Sequence, residues 1–325
     1  MPNVALSTMW GIPRFPTLAG FFEAATALGF DRFELNHAVD SLLLDAVDLN
    51  GICITSVHEP CPSDVSTAAL KRSNWFISSP DEDRRRRGVH AVKRSIELAA
   101  RLGVKAVIVH PGEVEGLENL DNTQRRLFKQ GQVGQPEYEA VRVRLIQERA
   151  ARAPEHMRSV RRSLLELAEY AWLLGVRLGL ENRYHYYSIP QLDELEELLT
   201  MGLGDTVAYW HDVGHAQVLQ DLGFAQHEEW LRRFSSRIVG VHLHDLVGIL
   251  DHQAAGRGRY CTPPGGRGTM DWGLVARYIP AAALRTCEFH PDNTPEQVAA
   301  GLRFLVDKGI VSADLPDPAS TSQAG

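Results

Sequence analysis

Two neighbouring stretches, Val207-Ala-Tyr-Trp-His-Asp-Val-Gly-His215 and Ile238-Val-Gly-Val-His-Leu-His-Asp245, decide the fold. Each opens on a short apolar run rich in β-branched or aromatic residues and closes on carboxylate and imidazole side chains. Such a run suits a parallel strand buried on both faces, and the polar end belongs where the strand emerges into a loop. Outward along the chain the pattern repeats at 4–9, 32–36, 52–58, 106–110, 177–181 and 285–289, which with 207–212 and 238–244 brings the strand candidates to eight. Amphipathic helical patterns separate them at 17–28, 86–102, 136–174, 191–199, 228–234, 272–278 and 295–307. Gly29, Gly103, Gly175 and Gly309 fall at the ends of such segments, where glycine commonly closes a helix. Eight β/α units with no Gly-rich phosphate turn predict a closed (β/α)8 TIM barrel of the α/β class rather than an open doubly wound sheet.

A barrel of roughly 250 residues plus insertions accounts for the 325-residue chain. One domain over 1–310 is therefore expected, followed by a flexible tail over 311–325 in which Pro, Ser, Asp and Ala dominate. The stretches 113–135 and 246–268 exceed ordinary loop length, and both fall on the face where βα loops build substrate walls. Composition (44% hydrophobic, 23% charged) is that of a soluble globular protein. No apolar run reaches the roughly 18 residues of a membrane span. A net charge of −7, from 41 acidic residues against 34 Lys and Arg, argues against nucleic acid or a membrane as partner. The basic run Arg84–Arg87 follows Asp81, Glu82 and Asp83 and reads as a solvated helix start; the arginines between 142 and 162 alternate with Glu148 and Glu155 and read as a salt-bridged helix. Cys53, Cys61, Cys261 and Cys287 show no CxxC spacing, and Met1 to Trp10 contain neither a basic n-region nor an apolar h-region, so reduced thiols and a cytoplasmic location are expected. A homo-oligomer is compatible with the exposed faces of a barrel.

Chemistry gathers at the strand ends. They carry His58 in Ser-Val-His-Glu-Pro, His110 in Ile-Val-His-Pro-Gly, Glu181 in Gly-Leu-Glu-Asn-Arg, Asp212 and His215 in Asp-Val-Gly-His, His242 and His244 in His-Leu-His-Asp, and Glu288 in Thr-Cys-Glu-Phe-His. A lone strand-end histidine is more often a hydrogen-bonded structural residue, and a lone Glu181 could cap the next helix. The series is different, because strand ends of a barrel converge on one cavity, and oxygen and nitrogen donors with few thiolates are what a divalent metal ion requires. His242 and His244 are two apart and share a strand face, so either could be the ligand. His211 faces the other way and reads as structural.

With Gly266-Arg-Gly-Thr-Met-Asp-Trp272 added, these motifs resemble the xylose isomerase-like barrel superfamily, in its sugar-phosphate isomerase/epimerase and apurinic endonuclease branch, from Val4 to about Gly309. The resemblance implies that Glu181, Asp212, His242 and Glu288 hold one divalent ion (Mn2+, Co2+, Mg2+ or Zn2+), with Asp245 steadying His242. It also implies that His58, His110 and His215 line the pocket. The three-zinc endonucleases use a further Asp-x-His ahead of a Gly-x-Gly; Tyr260 and Thr262 stand there in this chain, with Asp251 or His252 as the nearby substitutes.

A divalent ion on a carbonyl and its adjacent hydroxyl favours removal of the proton between them as an enediolate, and carboxylates on different strands can take and return that proton. Glu181 and Glu288 are the expected pair. The implied activity is a metal-dependent sugar or sugar phosphate isomerase or epimerase, working on a small sugar or polyol. A keto-sugar or keto-inositol dehydratase on the same site is the alternative, and a zinc-dependent apurinic endonuclease the third reading. Substrate contacts are expected from His58, His110, His215, His244, Arg183, Arg267 and Trp10, the arginines for a phosphate or carboxylate. Trp10, Trp210 and Tyr184 read either as apolar walls or as ordinary core aromatics.

Overall fold

Strand alternation sorts the side chains into two shells. In the computed structural model, which describes residues 3–12, 14–246, 249 and 270–312, Val107, Val109, Leu178 and Leu180 turn outward into the main hydrophobic core. Ala106 and Ile108 turn inward and meet Trp210. The first half of the chain builds β1 (Ala5–Ser7), α1 (Leu18–Ala27), β2 (Arg32–Leu35), α2 (Ser41–Asp45), β3 (Cys53–His58), α3 (Thr67–Ser73), α4 (Glu82–Arg101), β4 (Ala106–Val109), β5 (Gly112–Glu113) and α5 (Glu118–Lys129). Then come α6 (Pro136–Leu173), β6 (Arg177–Glu181), β7 (Ser188–Ile189), α7 (Leu192–Leu199), β8 (Val207–Asp212) and α8 (Val213–Asp221). The chain continues through α9 (His227–Phe234), β9 (Ile238–Leu243), α10 (Trp272–Tyr278), β10 (Leu284–Cys287) and α11 (Pro295–Asp307).

Eight parallel strands close a ring in the order β1-β10-β9-β8-β6-β4-β3-β2, as the strand pattern predicts, and β5 and β7 form a two-stranded antiparallel arm. All eight predicted strands are present, each within two residues of its predicted limits. The register shifts twice. Between β2 and β3 it passes over Thr55, so that Glu34 stands opposite Ser56; between β8 and β9 it passes over Val239, so that Asp212 stands opposite His242. These irregularities aim the inward side chains, a common use of bulges beside functional sites.

Trp210 is the barrel floor. A Cβ on Gly240 would lie 2.1 Å from its ring and one on Gly179 3.2 Å from its Cβ, so both glycines in the flanking strands leave it room. Gly29 and Gly175 adopt φ of 99° and 67° after their helices, the left-handed conformation that favours glycine. Val311 is buried, and Ser312 exchanges hydrogen bonds with Asn3.

The stretch 113–135, read as a loop, contains α5. Its buried face is Asp121, Gln124, Arg125 and Leu127, mostly polar, and hence carries no apolar periodicity. Arg125 binds Asp121 (2.6 Å) and the Tyr184 carbonyl, and Asp121 also holds His185 (2.7 Å), which fastens α5 to the segment that follows β6. Most of the stretch 246–268, with Cys261, lies outside the described residues. Of the basic run, Arg85 turns inward to Glu82 (2.8 Å) and Ser163 (2.9 Å), which corrects the solvated reading for that residue. Arg142, Arg144 and Arg152 pair with Glu139 or Glu148 along α6, as the interleaved charges predict. No helix among the described residues is long and apolar enough to cross a membrane.

Candidate metal centre

The ends of β6, β8, β9 and β10 bring Glu181, Asp212, His242 and Glu288 together. One donor atom from each lies within 4.8 Å of the others, and all four residues are buried. Glu181 is the hub. Its Oε1 is 2.6 Å from His242 Nδ1; its Oε2 accepts from Arg183 Nη1 (3.0 Å), contacts His110 Nε2 and lies 3.7 Å from His58 Nε2. His242 Nδ1 is also 3.7 Å from Asp212 Oδ2 and 3.8 Å from Glu288 Oε2.

Local chemistry holds these groups in place. Asp212 caps α8 by accepting from the His215 backbone N–H (2.7 Å), the reason an Asp precedes Val-Gly-His. Asn182 clamps the ends of β6 and β8: its Oδ1 accepts from Asp212 N (2.9 Å) and Tyr209 OH (2.8 Å), and its Nδ2 donates to the Asp212 carbonyl (3.0 Å). Gly214 is required because a Cβ there would lie 1.8 Å from His244 Cε1. The His244 ring thus sits against Asp212, with Nε2 3.0 and 3.2 Å from its two oxygens. The two histidines of His-Leu-His divide the work: His242 joins the four-donor group, and His244 braces Asp212.

Burial opposes ionisation of Glu181, yet the imidazoles of His110 and His242 hold its carboxyl well below the usual range; Asp212 is held low by His215 and His244 against the same penalty. Glu288 shifts the other way, raised by burial although His242 opposes the shift. His58 is pushed up to about 9, Glu181 outweighing the cost of burying its charge. His215 is pushed down to about 3 by burial. Three carboxylate oxygens and one imidazole nitrogen, without a thiolate, form a donor set that fits a hard or borderline divalent ion.

The other anticipated residues take varied places. His58 stacks on His242 (5.5 Å between ring centroids, 4° between planes) and meets His110 edge-on (4.6 Å). His215 Nδ1 lies 2.8 Å from the Asn182 carbonyl and 4.0 Å from Glu181 Oε1. Arg183 also reaches His110 Nε2 (2.7 Å) and lies 5.3 Å from the Tyr184 ring, which packs on His215 (4.9 Å). Trp10 sits in the core against Phe15 and Phe21 and donates to the Asn293 carbonyl (2.8 Å). His211 faces outward to Tyr209 and His227, the structural place expected of it. Arg267, Tyr260, Thr262, Asp251 and His252 lie outside the described residues.

The partner of His242 is Glu34 rather than the expected Asp245. Asp245 turns to the Leu246 and Met270 backbone N–H groups and the Trp272 indole, whereas Glu34 Oε2 is 3.2 Å from His242 Nε2. Sequence reasoning missed Glu34; its signal is a single charge between Phe33 and Leu35 at an inward position of a strand.

Comparison with solved structures finds this architecture in a 3-keto-D-glucoside 4-epimerase of E. coli, with a TM-score of 0.62, 17% identity, and coverage of 94% of this chain and 99% of that one. A D-tagatose 3-epimerase-like protein aligns with a TM-score of 0.60 at 18% identity, covering 94% and 97%. The IolI protein, solved with a zinc atom, aligns with a TM-score of 0.62 at 17% identity, covering 94% and 97%. No curated protein matches the sequence. The family model described as xylose isomerase-like TIM barrel matches residues 22–308, and the chain belongs to that family.

Proposed function

We propose that this protein is a divalent-metal-dependent isomerase or epimerase of a small sugar or polyol. The observation that carries this reading is the convergence of Glu181, Asp212, His242 and Glu288, with donor atoms within 4.8 Å of one another, at the C-terminal mouth of the barrel. The structural relatives named as sugar epimerases, and the one holding zinc, support it. Glu181, Asp212, His242 and Glu288 would hold a divalent ion, which would supply Lewis acidity towards a carbonyl and its neighbouring hydroxyl and so make the C–H of the hydroxyl-bearing carbon more acidic.

The protein's own part is to move that proton. Glu181 ends β6 and Glu288 follows β10, three places apart around the eight-strand ring, so their carboxylates approach a bound sugar from different sides. Glu181 takes the proton from carbon. Glu288 delivers one to the opposite face for epimerisation or to the adjacent carbon for isomerisation. His58, His110, His215, His244 and Arg183 are the proposed hydrogen-bonding contacts to substrate hydroxyls, with Arg267 as a further one; Trp10, packed in the core with its indole N–H on the Asn293 carbonyl, is not among them.

With Mn2+ supplied, the protein is expected to exchange the acidic carbon-bound hydrogen of a ketose with deuterium from solvent. Glu181→Gln and Glu288→Gln should each slow that exchange by about 10²–10⁴-fold. Normal exchange in both variants rejects the assigned roles. A product lighter by one water indicates a dehydratase, and cleavage of abasic DNA with three bound zinc ions indicates the endonuclease reading.

A further inference from the structure

Behind the four donors lies a carboxylate that proton transfer does not use. Glu34 is fully buried. Its Oε2 accepts from Ser56 Oγ (2.8 Å) and lies 3.2 Å from His242 Nε2, while its Oε1 meets no hydrogen-bond partner among the described residues. Ser56 reaches it because the register between β2 and β3 passes over Thr55. A buried carboxylate with so few donors weakens a fold rather than strengthening it. Its place is explained by what it does to His242.

We propose that Glu34 is a positioning residue that selects the metal-facing nitrogen of His242. By accepting the Nε2–H it fixes the ring so that Nδ1 faces Glu181 Oε1 (2.6 Å), Asp212 Oδ2 (3.7 Å) and Glu288 Oε2 (3.8 Å). The stacked His58 ring, parallel to His242 within 4°, limits rotation out of that plane. A carboxylate on the far nitrogen of a ligand histidine sets its tautomer and raises its basicity, and losing such a partner typically weakens metal binding 10–100-fold. The inference rests on the metal-centre reading above.

The test is titration of the full-length, metal-stripped protein with Mn2+, followed calorimetrically, for the parent and Glu34→Gln. The variant is expected to bind Mn2+ about 10–100-fold more weakly, and its metal-free form to melt no lower than the parent. Equal affinity in the two proteins overturns the proposal, as does a metal-free Glu34→Gln that melts well below the parent, because either outcome makes Glu34 merely structural. A measurement on the parent alone stands beside it: with 113Cd2+ and 15N-labelled histidine, direct coupling at His242 is expected to Nδ1, and coupling to Nε2 contradicts the assignment. A parent that binds no divalent ion rejects the metal reading as well, whereas equal binding by parent and variant rejects this inference alone.

Discussion

Single residues decide which groups ionise. Asp121 is buried on α5 between Arg125 and His185, and these partners, against the cost of burial, hold its pKa near 2 rather than 3.8. A carboxyl lowered on folding adds stability that is present above the unfolded value and lost as pH falls through the folded one. The contribution is complete above about pH 4 and disappears towards pH 2. Asp121→Asn leaves Arg125 without its buried counter-charge and is expected to cost about 3–5 kcal/mol at pH 7. It should also flatten the acid limb of the stability profile, measured by denaturant titration at a series of pH values. A variant as stable as the parent at pH 7 contradicts the role given to this pair. The convergence of the strand-end carboxylates and imidazoles was legible because each closes an apolar run. Glu34 was not, because it depends on His242, distant in sequence and brought near only by barrel closure; the Asp121–Arg125 pair, although four residues apart, was hidden with α5, whose buried face is mostly polar.

Elements place these residues, and here the sequence was most informative. Short apolar runs alternating with longer amphipathic ones can only be parallel strands with crossover helices, and the eight strands appear where that pattern sets them. The omissions have physical causes. Helix α8 is buried almost all round, including Val213, Ala216, Val218 and Leu219, so it carries no amphipathic signature and is absent from the helices expected from the sequence. Helix α5 packs with polar residues inward. Side-chain fit between strands is equally invisible to periodicity, as the contact of Gly240 with Trp210 illustrates. Gly240→Ala places a methyl against that ring and is expected to destabilise the barrel by about 1–3 kcal/mol with an unchanged denaturant m-value. Unchanged stability would show that Trp210 does not fill the floor as described.

At the scale of the molecule, four residues far apart in sequence become one centre only when the barrel is closed. Any ligand of that centre must therefore stabilise the whole fold. An ion present at 100 times its Kd contributes about 2.7 kcal/mol, so divalent ions should raise the melting temperature and chelation should reverse the rise. Asp212→Ala is expected to abolish the response. An equal rise in that variant places the ion elsewhere.

The family assignment and the ring of eight strands leave one claim on which the functional account turns: that Glu181, Asp212, His242 and Glu288 hold a single divalent ion. The most direct measurement is an anomalous difference map from crystals of the protein grown with Mn2+ and collected at the manganese edge. One strong peak bounded by the Glu181, Asp212 and Glu288 carboxylates and His242 Nδ1 is the predicted result. A map with no peak among these four side chains contradicts it.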